Sequence, residues 1–232
     1  MTPSGPSSDS ASGSAVPSAP YGFDRQPFDH AACFYLDERF LVRTLCDMAI
    51  ASLQNGGAAV IMATDAHQRA LARQLAGCGA DLPALRIQSR YAEVDVDEVL
   101  SGCMEGTRLN LQKLGLLLGG AIAAARQEPN SKTAPLLVFG EIVALLWAKR
   151  DFENLSALEQ LGDQLGFAVS TLCGYPIQEF AEPGTEEAYL QICAMHSTVI
   201  PPDAYPSGET ERRILEATAR SYARAAAKQD PA

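Results

Sequence analysis

Glu141 is the residue whose type and place most suggest chemistry. It follows the apolar run Leu136-Leu137-Val138-Phe139-Gly140, and an acid just beyond a central strand is where nucleotide hydrolases polarise water or help hold magnesium. That role requires a phosphate cradle: glycines whose N–H groups converge on the anion, with a Lys and a Ser or Thr for charge and magnesium. The matching strand, turn and helix, residues 58–75, pass from Ala58-Ala59-Val60-Ile61-Met62-Ala63 through Thr64-Asp65-Ala66-His67-Gln68 with neither the glycines nor the Lys. Asp65 would set a negative charge where a phosphate has to sit, although it suits the positive end of a helix dipole. Ser131-Lys132-Thr133 has the composition of a phosphate-loop end but precedes its strand instead of following it. Turnover of ATP is therefore not expected, and no catalytic residue is assigned.

Ligands of open parallel sheets bind beyond the carboxyl ends of the strands. That rule selects Thr64 and His67 after the first apolar strand, Glu141 after the second, Cys173 and Tyr175 after a third at 168–173, with His30 and Tyr35 near the start of order and His196 near its end. These eight form the expected ligand-binding set. Several have plainer alternatives. Glu141 in a first helical turn can be stabilised by the dipole alone, and His67 can be a ligand donor or a surface histidine. The three histidines with Glu141 would suffice for zinc, but no spacing brings them together, so no metal and no cofactor is assigned. Cys173 with His196 could make a nucleophile and base, or Cys173 can be a core thiol. Trp147 is expected to be a core anchor.

Helices alternating with short apolar strands must position these residues. The expected fold is α/β: three layers, with a mainly parallel sheet and helices on both faces. Asp37 should cap a helix carrying Phe40, Leu41, Leu45, Met48 and Leu53, ended by Gly56-Gly57. Further helices are expected after Asp95, over 107–126, from Gly140-Glu141 through Trp147, over 152–165, up to His196 and over 209–229. In the last, Ile214, Leu215, Ala219 and Tyr222 offer a thin apolar stripe. A strand is also expected near 90–94.

The chain has 232 residues and a formal net charge of -10. That charge opposes nucleic acid and anionic lipid, since affinity for either rests on neutralising phosphates. Six cysteines without a C-x-x-C pair favour reduced, mostly buried thiols. No secretory pattern and no span long enough for a bilayer is present, so a cytoplasmic protein is expected. Residues 1–28 are dominated by Ser, Pro, Gly and Ala and should form a disordered tail. The sequon at Asn154 is expected to be a chance match.

Five stretches in order resemble the MEDS family, the methanogen and methylotroph sensory domain. They are His30-Ala31-Ala32-Cys33-Phe34-Tyr35, Ala63-Thr64-Asp65-Ala66-His67, Phe139-Gly140-Glu141 through Trp147, Leu172-Cys173-Gly174-Tyr175-Pro176, and Ile192-Cys193-Ala194-Met195-His196-Ser197 followed by Pro201. The resemblance implies a fold similar to RecA and the circadian clock ATPases with a degenerate phosphate loop. It also implies a sensory or regulatory role in bacterial or archaeal signal transduction. Family members carry the domain beside DNA-binding, histidine-kinase or anti-sigma-type modules. No such neighbour is seen here, so direct DNA contact is not expected, and output would pass through a partner signalling protein or a homodimer.

The organisation expected is thus a tail at 1–28, a sensory domain at 29–205 and a C-terminal helix and tail at 206–232. The domain should bind a small molecule or a partner protein without turnover, the alternatives being a nucleotide- or metal-dependent hydrolase and an interaction scaffold. Deleting residues 1–28 is expected to leave the thermal unfolding midpoint nearly unchanged; a large drop in calorimetry would show that the tail packs.

Overall fold

The computed structural model describes residues 30–127, 133–163 and 169–229. The tail expected at 1–28, most of the polar connection at 128–133 and the first residue of the strand expected at 168–173 lie outside them. In chain order the elements are β1 (His30–Tyr35), α1 (Glu38–Gln54), β2 (Ala58–Ala63), α2 (Asp65–Gly77), α3 (Leu82–Ile87), β3 (Tyr91–Asp95), α4 (Val96–Cys103), β4 (Met104–Glu105), β5 (Arg108–Leu109), α5 (Leu111–Ala125), β6 (Leu136–Gly140), α6 (Ile142–Ala148), α7 (Phe152–Asp163), β7 (Ser170–Pro176), α8 (Glu186–Met195), β8 (Thr198–Ile200) and α9 (Gly208–Gln229). Six strands form one sheet in the order β3-β2-β6-β7-β1-β8, all neighbours parallel, while β4 and β5 make a small antiparallel hairpin.

The inner strands β2, β6, β7 and β1 are buried on both faces, as a parallel sheet requires. In β2, Ala59, Ile61 and Ala63 meet Leu41 and Leu45 of α1, Leu71 and Leu75 of α2 and Leu82 of α3. Met62 points to the other face, into a core built from α4 to α9. Ala58 and Val60 on that face lie under Ala121, Ile122 and Ala125 of α5. The three-layer α/β architecture expected from the sequence is therefore present. Side-chain caps fix the helix starts: Asp37 accepts from Arg39 N, Asp95 from Glu98 N and Asn110 from Lys113 N.

The chain departs from expectation in four places. Residues 30–35, read only as the beginning of order, form a strand between β7 and β8. The helix expected over 107–126 starts only at Leu111. Asn154 of α7 takes the Leu109 N–H and the Thr107 carbonyl, holding that stretch in the hairpin instead. This also buries the sequon's Asn154. The extended exit at Pro201-Pro202 is preceded by β8. On α9, Ile214 and Ala217 pack inward, whereas Leu215 is 57% exposed and leaves the expected stripe. Arg213 joins the helix to the domain through Glu186, at 2.7 Å, and the carbonyls of Ala181 and Glu182.

None of the six cysteines is in a disulfide, and Cys33, Cys46, Cys103 and Cys173 are buried. No helix among the described residues is long and apolar enough to cross a membrane.

The strand order creates a topological switch between β2 and β6. From β2 the chain leaves across the α1–α3 face toward β3, and from β6 it leaves across the opposite face toward β7. In open α/β sheets such diverging connections mark the crevice where ligands bind, here at the carboxyl ends of β2 and β6. The opposite end of β2 is closed tightly. Ser52 Oγ donates to the Ala58 and Pro135 carbonyls, and Arg90 donates to the carbonyls of Gly57 and Leu53. A Cβ on Gly57 would stand 1.9 Å from the Pro135 carbonyl oxygen. Gly57→Ala is expected to cost about 1–3 kcal/mol of stability, read as a lower urea midpoint with an unchanged slope; an unshifted midpoint would show that the β2 entrance yields freely.

Candidate functional site

At the switch crevice, Glu141 extends the sheet pairing by one residue, its N–H donating to the Met62 carbonyl at 2.9 Å. That register places its side chain beside the β2–α2 junction. Glu141 makes no side-chain cap for its own helix α6. Its Oε2 instead accepts from the Thr64 N–H at 2.8 Å and from the Thr64 hydroxyl at 3.2 Å. Its Oε1 lies 2.8 Å from His67 Nδ1. Thr64 is the N-cap of α2 but supplies no side-chain cap itself. The positive end of α2, where a phosphate loop would hold its anion, is thus occupied by a carboxylate from the neighbouring strand.

Both partners are buried, Glu141 at 5% exposure and His67 at 8%. The hydrogen bond to Glu141 raises the His67 pKa, prevailing over desolvation, with Glu38 adding a smaller push. Glu38 Oε2 stands 4.0 Å from His67 Nε2, and that nitrogen is buried without a hydrogen bond. Tyr35, at the end of β1, meets the His67 ring edge-on with centroids 6.4 Å apart. Burial first, then the charges of Glu141 and Glu38, keep its hydroxyl protonated. Asp65 is not the charge at this position: it is 61% exposed and pairs with Arg69 one turn along.

A second cluster lies on the sheet face beneath α7 and α8. His30 opens β1 in register with Thr171 of β7, so its ring stands on the same face as Cys173 and Tyr175. Glu159 descends from α7 and His196 closes α8. Glu159 Oε2 lies 3.0 Å from His30 Nε2, 3.3 Å from His196 Nε2 and 3.6 Å from Cys173 Sγ. Its Oε1 accepts the Tyr175 hydroxyl. Cys173 Sγ and His30 Nε2 are 3.4 Å apart. His196 Nδ1 donates to the Ile192 carbonyl at 2.7 Å. Burial would raise the Glu159 carboxyl, but the imidazoles of His196 and His30 and the Tyr175 hydroxyl outweigh it and hold the group down to about 2. Burial first, and then Glu159, push the Tyr175 hydroxyl far the other way.

The eight residues expected at one carboxyl edge therefore separate into two groups of four. Tyr35, Thr64, His67 and Glu141 meet at the crevice. His30, Cys173, Tyr175 and His196 gather around Glu159, inside the α7–α8 layer. A single set of three histidines and Glu141 is not formed, because His67 and Glu141 face the crevice while the other two imidazoles lie tilted to each other, centroids 4.1 Å apart, under α7. The Cys173 thiol meets His30 and Glu159, and His196 points its Nδ1 away to the backbone. Trp147 packs in the core against Phe180, as expected of an anchor.

Glu159 was not among the expected residues, yet its sequence position carried a signal. Leu155, Leu158, Glu159 and Gly162 share the i, i+3, i+4, i+7 spacing of a buried helical stripe. A carboxylate inside such a stripe must find partners. Gly162 completes the fit: a Cβ there would come within 3.0 Å of His30 Nε2.

No curated protein matches the chain. Among solved structures, it is similar to a KaiC-like protein of the hyperthermophilic archaeon Pyrococcus horikoshii OT3, with 14% identity and a TM-score of 0.43, over 65% of this chain and 62% of that one. The chain thus spans less than two thirds of that protein. The family model described as the methanogen/methylotroph, DcmR sensory domain matches residues 29–196, which take in both clusters. The chain belongs to the MEDS family.

Proposed function

We propose that this MEDS-family chain is a non-catalytic, cytoplasmic signalling module that recognises a small molecule or a partner protein at the crevice between β2 and β6. The observation that carries this reading is the position of Glu141. Its carboxylate fills the anion position at the start of α2 and is engaged by the Thr64 N–H, the Thr64 hydroxyl and His67. A nucleotide phosphate would have to displace a buried carboxylate from the charge-assisted hydrogen bonds that hold it. A residue so engaged is poorly placed to polarise water. This counts against a nucleotide hydrolase built on Glu141, the competing reading.

Recognition at this place draws on groups the latch leaves over. His67 Nε2 is buried and makes no hydrogen bond, Glu38 stands beyond it, and Tyr35 closes the side. A ligand that donates to or accepts from His67 Nε2 would bias the latch between held and released forms. It can do so only through unequal affinity for the two. Thr64 and His67 lie at the head of α2, so release would free the start of that helix. Output then passes to a partner signalling protein, such as a kinase, an anti-sigma-type module or a transcription regulator, or to a second copy.

The test is native mass spectrometry of the purified full chain and its Glu141→Gln variant, with a phosphate-release assay on ATP. A small molecule retained by the wild type and lost or weakened in the variant is the expected result. ATP turnover that vanishes in Glu141→Gln would overturn the non-catalytic reading. The same variant should move His67. With its acceptor weakened, the imidazole titration followed by NMR should fall toward the ordinary value of about 6.5. The sign on stability follows: a raised folded pKa stabilises fully below about pH 6.5 and is lost as pH climbs through the folded value. Wild-type stability should therefore decline over that window, and the decline should flatten in Glu141→Gln, along with a general loss of about 1.5–3 kcal/mol for the charged hydrogen bonds.

A further inference from the structure

We propose that His30, Glu159, Cys173 and His196 form a binding site for one divalent transition-metal ion, with zinc the ion best suited to them. The site is separate from the β2–β6 crevice, and the proposal stands whether or not that crevice binds a ligand.

The four donor atoms converge at separations close to the edges of a zinc tetrahedron. Zinc bonds of about 2.0–2.3 Å to nitrogen, oxygen and sulfur set ligand–ligand edges of roughly 3.3–3.8 Å. The observed separations are 3.0 Å for His30 Nε2 to Glu159 Oε2, 3.3 Å for His196 Nε2 to Glu159 Oε2, 3.4 Å for His30 Nε2 to Cys173 Sγ and 3.6 Å for Cys173 Sγ to Glu159 Oε2. All four ligand atoms lie within 4.8 Å of one another. Hydrogen bonds between the same groups need only pairs, whereas a metal needs all four atoms to converge.

Orientation adds a second observation. His196 spends Nδ1 on the Ile192 carbonyl, and its buried Nε2 faces the cluster 3.3 Å from Glu159 Oε2, outside hydrogen-bond geometry. A histidine fixed by a backbone carbonyl through one nitrogen, with the other turned to a shared centre, is arranged as metal-bound histidines are. Tyr175 similarly takes the outer oxygen of Glu159, leaving Oε2 for the centre. Gly162 leaves space for the His30 ring where a side chain would collide with it.

Charge selects the ion. One thiolate and one carboxylate neutralise a dication, and two neutral imidazoles complete the set, so the loaded site carries no net charge into a buried layer. Sulfur and imidazole donors favour zinc over magnesium or calcium. Binding would release the Cys173 thiol proton to solvent. Four protein ligands leave no open position, which fits a structural or sensing centre and not a catalytic one. Because the ligands come from β1, α7, β7 and α8, an ion would fasten two helices to two strands.

The experiment titrates the reduced, chelator-treated full chain with Co2+ and then Zn2+. Expected are saturation at one equivalent, visible bands of tetrahedral cobalt, a near-ultraviolet thiolate-to-cobalt band and displacement by zinc. Cys173→Ser, close in size, should lose the thiolate band and weaken zinc affinity by more than about 100-fold, beyond what loss of a mere outer partner causes. Cys78→Ser, at an exposed thiol, should change neither. Should Cys173→Ser fail to fold, the wild type decides: zinc should raise its thermal midpoint and EDTA should reverse the rise. No cobalt spectrum and no zinc-dependent midpoint in the folded wild type, or a thiolate band that persists in folded Cys173→Ser, would overturn the site.

Discussion

A carboxylate taken out of water must be met by donors or by positive charge, because the isolated ion costs several kcal/mol or more to bury. Among the described residues two carboxylates are buried in that sense, Glu141 at 5% exposure and Glu159 at 1%. Each organises the elements around it. Glu141 meets the demand with a helix N-terminus, a hydroxyl and an imidazole, joining the ends of β2 and β6. Glu159 meets it with two imidazoles, a thiol and a phenol, joining α7 to β1, β7 and α8. Removing either acid would leave the donors it gathers, and not merely one contact, in search of partners.

The strand order decides why these demands can be met where they are. Because β2 and β6 are neighbours although 77 residues separate Thr64 from Glu141, the acid at the end of one strand reaches the helix cap at the end of the other. The same adjacency in a nucleotide-binding α/β protein brings an acid beside a phosphate loop. Here the loop glycines and Lys are missing. The acid occupies the start of α2, so the position a phosphate loop would offer an anion is filled by an internal bond.

How much of this could be read from the sequence depends on the range of the forces involved. The strand, turn and helix at 58–75, the cap at Asp37 and the helix after Asp95 are written in local periodicity and capping residues, and all are present. β1 was hidden because His30-Ala31-Ala32-Cys33-Phe34-Tyr35 is buried on both faces and so shows no alternation. β8 has three residues, too few for a pattern. Leu109 looked helical until Asn154, 45 positions away, took its N–H. The site residues were chosen as chemistry-bearing types, and their division into two groups rests on side-chain direction along β1. His30 and Tyr35 are an odd number of residues apart and therefore face opposite layers. Only the parity of a strand that periodicity does not reveal separates them.

That parity also governs how independent the two clusters are. His30 and Tyr35 stand at the two ends of a six-residue strand, about 16 Å apart along it at ~3.3 Å per residue, and on opposite faces. The clusters share none of the side chains named for either, and sites separated by more than about 7–10 Å without common partners act additively unless a rigid element with two arrangements connects them. The element available is β1 itself, paired to β7 along its whole length and to β8 along half of it. A strand held on both edges resists sliding, since a shift by one residue would turn every side chain to the wrong face. Under the proposed function, release at the β2–β6 crevice would act outward through α2 and not through β1, while the Glu159 cluster joins α7 to β1, β7 and the end of α8 on the opposite layer.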